Sequence, residues 1–525
     1  MLYYNAGVRA DMDLKVLFFS FFLSICGTNA ARILAIMPMK AKSHFYFHEV
    51  LFRSLVSAGH EVILINPYSL KQPIENFTII SPPDDQIENP FTGIAAKDVN
   101  TVKRFIGVID VVHEDCEKVL KIPYIENLLK SREKIVDVLF IELFFMYKCY
   151  LPIAEKLDIP VIGTFSGYAI IPVDQAIGNP RNLATIPFET SPFGTKMSFF
   201  QRIQNVFFHT IYYLTDTFLF EAKTNEFFAK YHPDFSNNKT KVSLVFLNSH
   251  PCLAPRPVAP NNIHIGGIHL ALNEEQHLSK DLQKFIDEAP HGVILFSLGS
   301  IVSGNALSPA FRQTLRETFA EIPQRVIWKF DEEVPGLSDN VLVSKWLPQK
   351  KILAHPNVVA FISHCGLMST YEAIYSGKPL IMAPVFADQP TVATRLLELN
   401  VGVMMDILSI NKEKLLELVH EIVHNQKYRD NMRNLSAAMK DNPMTQSETV
   451  VYWTNYVLRH NGAPHLRTIG ADMPWYQYLL LDVIFFIIAM AIVVLFVLFY
   501  SIKIICHLFK SLRKQGVMKA DKKTK

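Results

Sequence analysis

The chain has 525 residues, half of them apolar, and sets 52 lysines and arginines against 49 aspartates and glutamates for a formal charge of +3. That length calls for several cores rather than one, and the apolar share points to membrane segments. So weak a field offers no case for a nucleic-acid partner.

At the start, Lys15 precedes the apolar run Val16 to Ile25, and Thr28-Asn29-Ala30 supplies small residues of the cleavage type. Residues 1-30 therefore read as a secretory signal peptide, translated from Met1 or Met12, the run being too short for a retained anchor. Arg32 to Pro38 has the character of a parallel strand buried on both faces. Met39 to His44 forms a loop, Phe45 to Ala58 a helix closed by Gly59, and His60 to Ile65 the next strand. In such a βαβ opening, ligands gather at the loop after the first strand, where His44 lies. Asp137 to Glu142 is a further strand, followed by a helix to Leu157 and the strand Pro160 to Gly163. Taken singly, His44 fits surface decoration as readily as a site, and Glu142 fits a carboxylate facing water.

From Gly178 to Arg202 the chain is irregular, then amphipathic and rich in phenylalanine. These side chains would line a lipophilic pocket, fill core or touch a membrane, and the residues leave all three open. Leu244 to Ser249 is the last strand of a first half spanning 31–270, and the proline-rich stretch Pro251 to Pro260 suits an interdomain connector. Gly292 to Ser300 opens a second sheet, and Ser308-Pro309 reads as an N-cap and first helical residue. Strands at Arg325 to Phe330, Val341 to Ser344, Val358 to Ser363, Lys378 to Pro384 and Val401 to Met405 alternate with helices, which makes a second parallel sheet with helices on both faces. The second half spans 271–465 and ends in a helix from Glu448 to His460.

Inside that half, the run Val358 to Ile362 stops at Ser363-His364-Cys365-Gly366, and a helix carrying Ser369 and Glu372 follows. A strand delivered to a helix start offers free N–H groups and a positive dipole end, which suit a diphosphate. Upstream, Trp346-Leu347-Pro348-Gln349 supplies an aromatic plane and an amide; downstream, Asp388-Gln389 supplies a carboxylate and an amide for hydroxyls. Together these parts match a nucleotide sugar in order.

Residues 466-482 lead to Val483 to Ile502, an uncharged stretch long enough to cross a bilayer. Trp475, Tyr476 and Tyr478 precede it, and Lys503, Lys510, Arg513 and Lys514 follow. The positive-inside rule then puts the 503-525 tail in the cytosol and residues 31 to about 480 on the lumenal side. Sequons at Asn76, Asn238 and Asn434 lie on that side. The six cysteines show no paired spacing, so no disulfide framework and no zinc site are expected.

The set Trp346 to Gln349, His355-Pro356, Phe361 to His364, Gly366, Ser369-Thr370, Glu372-Ala373, Gly377 to Pro379 and Asp388-Gln389 resembles the signature of the UDP-glycosyltransferases, in the form of the membrane-bound animal and insect-type enzymes. The likeness runs from about Arg32 to Asp482 and implies an α/β fold of the GT-B class: two Rossmann-like domains facing a cleft, plus one C-terminal transmembrane helix. It implies that Trp346 stacks on uracil, Gln349 and Glu372 hold the ribose, Ser300, His364, Gly366 and Ser369 bind the diphosphate, and Asp388 and Gln389 bind the sugar hydroxyls. His44 would be the catalytic base, and Glu142 stands where the family usually has an aspartate. The reaction implied is inverting transfer of a hexose, glucose before glucuronic acid, from a UDP-sugar to a small lipophilic acceptor, as in detoxification. No metal or cofactor is implied, the UDP-sugar being a co-substrate. Asp521-Lys522-Lys523 resembles a retrieval signal, which places the chain in the endoplasmic-reticulum membrane as a single-pass type I protein; assembly as a homo-oligomer stays open. Met368 and Val392 replace polar residues of the family pattern. They motivate a second reading, a degenerate member that binds a lipophile or a protein in the lumen with little catalysis.

Overall fold

A computed structural model of the chain describes residues 30–82, 114–131, 133–144, 147–233, 241–271, 277–299, 307–332 and 334–521, the side chains of Thr217 and of residues 514–521 excepted. The signal region 1–29, Asn238, Ser300 and the terminal lysines of the tail lie outside the described residues.

The first sheet is wholly parallel. Its strands are β1 (Arg32–Ile36), β2 (Glu61–Ile65), β3 (Phe77–Ile80), β4 (Val138–Glu142), β5 (Val161–Phe165), β6 (Val242–Leu247) and β7 (Asn262–His264), in the order β3-β2-β1-β4-β5-β6-β7. The second, also parallel, has β8 (Val293–Ser297), β9 (Arg325–Lys329), β10 (Val341–Ser344), β11 (Val358–Ser363), β12 (Leu380–Met382) and β13 (Gly402–Met404), ordered β10-β9-β8-β11-β12-β13. Most strands are apolar on both sides because each sheet has a core on either face. In β1, Leu34 and Ile36 join one cluster while Ile33 and Ala35 join the other; in β8, Val293 and Leu295 face one way and Ile294 and Phe296 the opposite way.

Three expectations change. The proline-rich stretch does not join the halves: it precedes β7, which still pairs with β6, so the crossing comes later, through Ile265 to Ala271. The first helix begins at Lys42, earlier than expected, and takes His44 into its first turn. Cys116 and Cys149 are joined in a disulfide inside a buried cluster of the first half, where none was expected. Spacing along the chain carries no trace of that pairing, because it is made by packing of two separate helical segments in one buried cluster.

Helix Gln446–Arg459, from the end of the second half, returns to the first: Val450 and Val457 are buried in the cluster that holds Phe47, Leu51 and Leu55 of helix Lys42–Ser57. The compact body ends at Arg467, and residues 468–525 form a unit of their own. In that unit a short helix, Trp475–Tyr478, precedes helix Leu481–Asp521, whose stretch Leu481–Arg513 is long and apolar enough to cross a membrane.

Candidate active site

Adjacent strand ends build the first wall. β4 lies between β1 and β5, with Ile141 opposite Ile36 and Glu142 opposite Thr164. The residues that follow β1 and β5 therefore meet the end of β4. His44 Nδ1 lies 2.6 Å from Glu142 Oε1 and 2.8 Å from Ser166 Oγ, and the Ser166 hydroxyl lies 3.4 Å from the same carboxylate oxygen. Burial alone would raise the Glu142 carboxyl, but the neighbouring His44 and His48 imidazoles and the hydrogen bonds from His44 and Ser166 bring it below its ordinary value. An ionised Glu142 accepts from Nδ1–H, which fixes the tautomer and leaves Nε2 of His44 as the basic nitrogen. One turn further, His48 is pushed down to about 4, chiefly by burial, so it stays neutral; its Nε2 lies 2.9 Å from Thr164 Oγ1.

The sequence pairs His44 with Glu142, and the structure brings them together in spite of the longer glutamate side chain. Ser166 escapes the sequence reading because β5 runs on to Phe165, so the residue beyond its end is not the one expected.

The second wall is the corner after β11. Cys365 has φ 63°, the left-handed region that favours glycine, and Gly366 caps helix Leu367–Tyr375. The His364 ring fills the space beside two glycines: a Cβ at Gly366 would lie 2.3 Å from His364 Nε2, and one at Gly299 would lie 2.7 Å from it. Glycine is thus required at both positions by the histidine itself. Enclosure, with the charge of Lys329 added, pushes the His364 imidazole down to about 4, so at neutral pH it is an uncharged donor.

Gln349 ties Ser369 and Glu372 into one cluster, donating from Nε2 to Ser369 Oγ at 2.9 Å and to Glu372 Oε2 at 2.6 Å. Trp346 is 48% exposed, which leaves its ring open to a stacking partner. Lys42 Nζ, from the first half, sits 4.0 Å from the centre of its ring, and Lys329 Nζ sits 5.5 Å from it while donating to Gly299 O at 2.7 Å. Neither lysine was read from the sequence as part of a site. Gln389 is buried, and its side-chain oxygen accepts from the backbone N–H of Val385 at 2.8 Å and of Phe386 at 3.1 Å, which leaves the NH2 group for a hydroxyl. The Asp388 carboxyl is raised by burial, with a backbone hydrogen bond and the charge of His44 opposing.

Helix Gln389–Glu398 also grips the first half. Thr391 Oγ1 donates to Glu189 O at 3.0 Å and Ser191 O at 2.7 Å, and Glu398 accepts from the N–H and hydroxyl of Thr195 at 2.9 and 3.0 Å. Tyr168, two residues past Ser166, packs against the core of the second half. On the same helix Val392 is fully buried in that core, so its side chain faces no ligand and the apolar residue is the one the position needs. Asn76 is exposed at the foot of β3, and Asn434 is exposed on helix Gln426–Lys440.

Burial pushes the Glu372 carboxyl up to about 7, with the Gln349 hydrogen bond and the charges of Lys350 and Lys329 opposing. The raised value means that the ligand-free fold holds a proton which the unfolded chain has lost, so this residue costs stability as the pH rises from about 4 through 7. A carboxylate that accepts from ribose hydroxyls must first lose that proton. Binding of a UDP-sugar at pH 7 is therefore expected to release about half a proton, read by calorimetry in buffers of different ionisation heat. Glu372→Gln should abolish the release; an unchanged release would place the titrating group elsewhere.

A profile of the family described as "UDP-glucoronosyl and UDP-glucosyl transferase" matches residues 32–516. "UDP-glycosyltransferase UGT5" of Dactylopius coccus is 36% identical over 490 residues, covering 90% of this chain and 91% of the relative. "UDP-glucosyltransferase 2" of the same organism is 34% identical over 528 residues, covering 97% and 100%. Among solved structures, the glycotransferase of kitacinnamycin superposes with a TM-score of 0.58 at 16% identity, over 81% of this chain and 99% of the other, a likeness that concerns the fold.

Proposed function

The chain belongs to the UDP-glucuronosyl and UDP-glucosyl transferase family and has its GT-B fold, and from that premise we propose that it moves glucose from UDP-glucose to the hydroxyl of a small lipophilic acceptor, with inversion. The observation that carries this reading is the His44–Glu142–Ser166 cluster at the ends of the first sheet's strands. In the proposed step the acceptor oxygen attacks the anomeric carbon and His44 Nε2 takes its proton. The bond from that carbon to the β-phosphate oxygen breaks, and the leaving UDP keeps the electron pair. Glu142 steadies the imidazolium. The start of helix Leu367–Tyr375, His364 and Ser369 stabilise the charge that grows on the phosphate. Trp346 takes the uracil, Gln349 and Glu372 the ribose, and Asp388 and Gln389 the sugar hydroxyls.

Glucose is preferred to glucuronic acid because a relative that aligns along its whole length is named a UDP-glucosyltransferase. A lumenal, type I placement in the endoplasmic-reticulum membrane is supported by the membrane-length helix and by a disulfide, which persists in an oxidising compartment. Conjugation of lipophilic compounds, as in detoxification, would follow.

The test supplies the full chain in detergent with labelled UDP-glucose or UDP-glucuronic acid and a panel of phenols. Transfer from UDP-glucose to give a β-glucoside is expected. An α-linked product would overturn inversion, and transfer from UDP-glucuronic acid alone would overturn the sugar assignment. No transfer of either sugar, with no UDP-sugar bound by calorimetry, would favour a lumenal binding protein instead.

A further inference from the structure

His44 and the Asp388-Gln389 pair belong to different halves, and a chain of enclosed polar contacts runs from one to the other. His44 Nδ1 meets Ser166 Oγ, and five residues beyond Ser166 the helix Ile171–Ile177 begins. Its first N–H, on Ile171, donates to Glu189 Oε1 at 2.7 Å. The same oxygen accepts from Arg181 at 2.7 Å; Arg181 also pairs with Asp174, and Asp174 with Arg256, each at 2.7 Å. Arg256 in turn donates to Ala169 O at 3.1 Å. The side chains of Arg181, Asp174 and Arg256 are at most 9% exposed. Charges so enclosed keep one arrangement, because losing a partner would leave a buried charge unpaired. Glu189 is thus fixed to the stretch that follows Ser166.

The backbone of that stretch's partner carries the link onward. Thr391 lies about one helical turn after Asp388, and its hydroxyl reaches both Glu189 O and Ser191 O. Further along the same helix, Thr394 Oγ1 donates to Pro192 O at 3.2 Å. Glu398, held by Arg395 at 3.0 Å, takes both donors of Thr195. Arg395 also donates to Leu253 O at 3.1 Å. Gly194 lies so close that a Cβ there would fall 2.0 Å from Glu398 Oε1. Four side chains of helix Gln389–Glu398 are therefore engaged with the first half, and the helix begins at the residues assigned to the sugar.

We infer that Thr391 and Glu398, through Glu189 to Thr195, are positioning residues of the transfer, setting the separation between His44 and a sugar held by Asp388 and Gln389. The inference rests on the transfer reading above. A reacting group misplaced by about 1 Å can lose on the order of 10²-fold in rate, so slack between the halves shows as lost turnover rather than lost donor binding.

The test uses the full chain in detergent with UDP-glucose and whichever phenol of the panel is conjugated fastest. Turnover is expressed per UDP-binding site, counted by calorimetry, so that misfolded chain does not enter the rate. Thr391→Val keeps the shape and removes the hydroxyl. It is expected to lower kcat at least about 10-fold, with the dissociation constant for UDP unchanged, because the residues assigned to UDP all lie in the second half. Thr391→Ser keeps the donor and should return kcat to within about 3-fold of the parent. Turnover of Thr391→Val equal to the parent overturns the inference, as does a serine variant no better than the valine one. If Thr391→Val fails to fold, Gly194→Ala, which thrusts a methyl group against Glu398, is expected to lower kcat per site in the same way, and full turnover there overturns the inference. A parent chain that transfers no sugar overturns the transfer reading and this inference together; a parent that transfers, with its variants at full rate, overturns this inference alone.

Discussion

Replacing His44 with alanine is expected to lower kcat by about 10²–10⁴-fold, the usual worth of a positioned general base, with the dissociation constant for UDP unchanged. The uncoupling follows from the geometry. His44 stands on the wall made by β1, β4 and β5, whereas the residues proposed to cradle UDP follow strands of the other sheet. Its Nδ1 is committed to Glu142 and Ser166, so only Nε2 is available to an acceptor. Glu142→Gln keeps the shape of the partner but removes the charge that favours the imidazolium, and should lose a large part of the same factor. Ser166→Ala removes a hydrogen bond and leaves the carboxylate, so its loss should be smaller. Turnover that survives His44→Ala within about 3-fold would mean that another group takes the proton, well below the usual worth of a base. A parallel loss of UDP binding would mean that the variant had disturbed the cleft rather than the chemistry.

The two walls were unequally legible in the sequence, for a physical reason. The donor corner is built from residues adjacent in the chain, and backbone geometry restricts them: a left-handed residue at Cys365, and glycines at Gly299 and Gly366 where the His364 ring leaves no space for a Cβ. Such constraints leave a pattern of short spacing. The catalytic wall joins residues 98 and 122 positions from His44, and they meet only because the sheet order sets β4 between β1 and β5. Glu142 could be found from the end of its strand. Ser166 could not, because the strand before it was read as ending at Gly163. The helix at Phe199 failed differently. Apolar periodicity identifies an amphipathic helix but not which face turns inward, and here the polar residues Asn205 and His209 took the buried side.

The disulfide is the feature the sequence hid most completely, and its removal carries the second large effect. Cys116 and Cys149 are separated by 33 positions, and both are fully buried in the cluster that includes Leu139, Ile141 and Val161 of the first sheet. Cross-linking a loop of that length removes about 3–4 kcal/mol of chain entropy from the unfolded state on the loop-closure account. Cys116→Ala/Cys149→Ala is therefore expected to lower the stability of the first half by about that amount, read as a fall in the denaturant midpoint with the slope little changed. Reductant separates the bond from the side chains. It should bring the natural chain down to nearly the level of the double variant and should leave the variant where it is. The remaining described cysteines, Cys252, Cys365 and Cys506, are free and would respond alike in both. If reductant leaves the natural chain's midpoint unmoved, the bond does not form in solution, and the support it lends to a lumenal location is lost. If the shift occurs, chain made in a reducing compartment should show the same deficit from the outset, with the first half opening at lower denaturant while the second half, whose cores lie outside that loop, keeps its own stability.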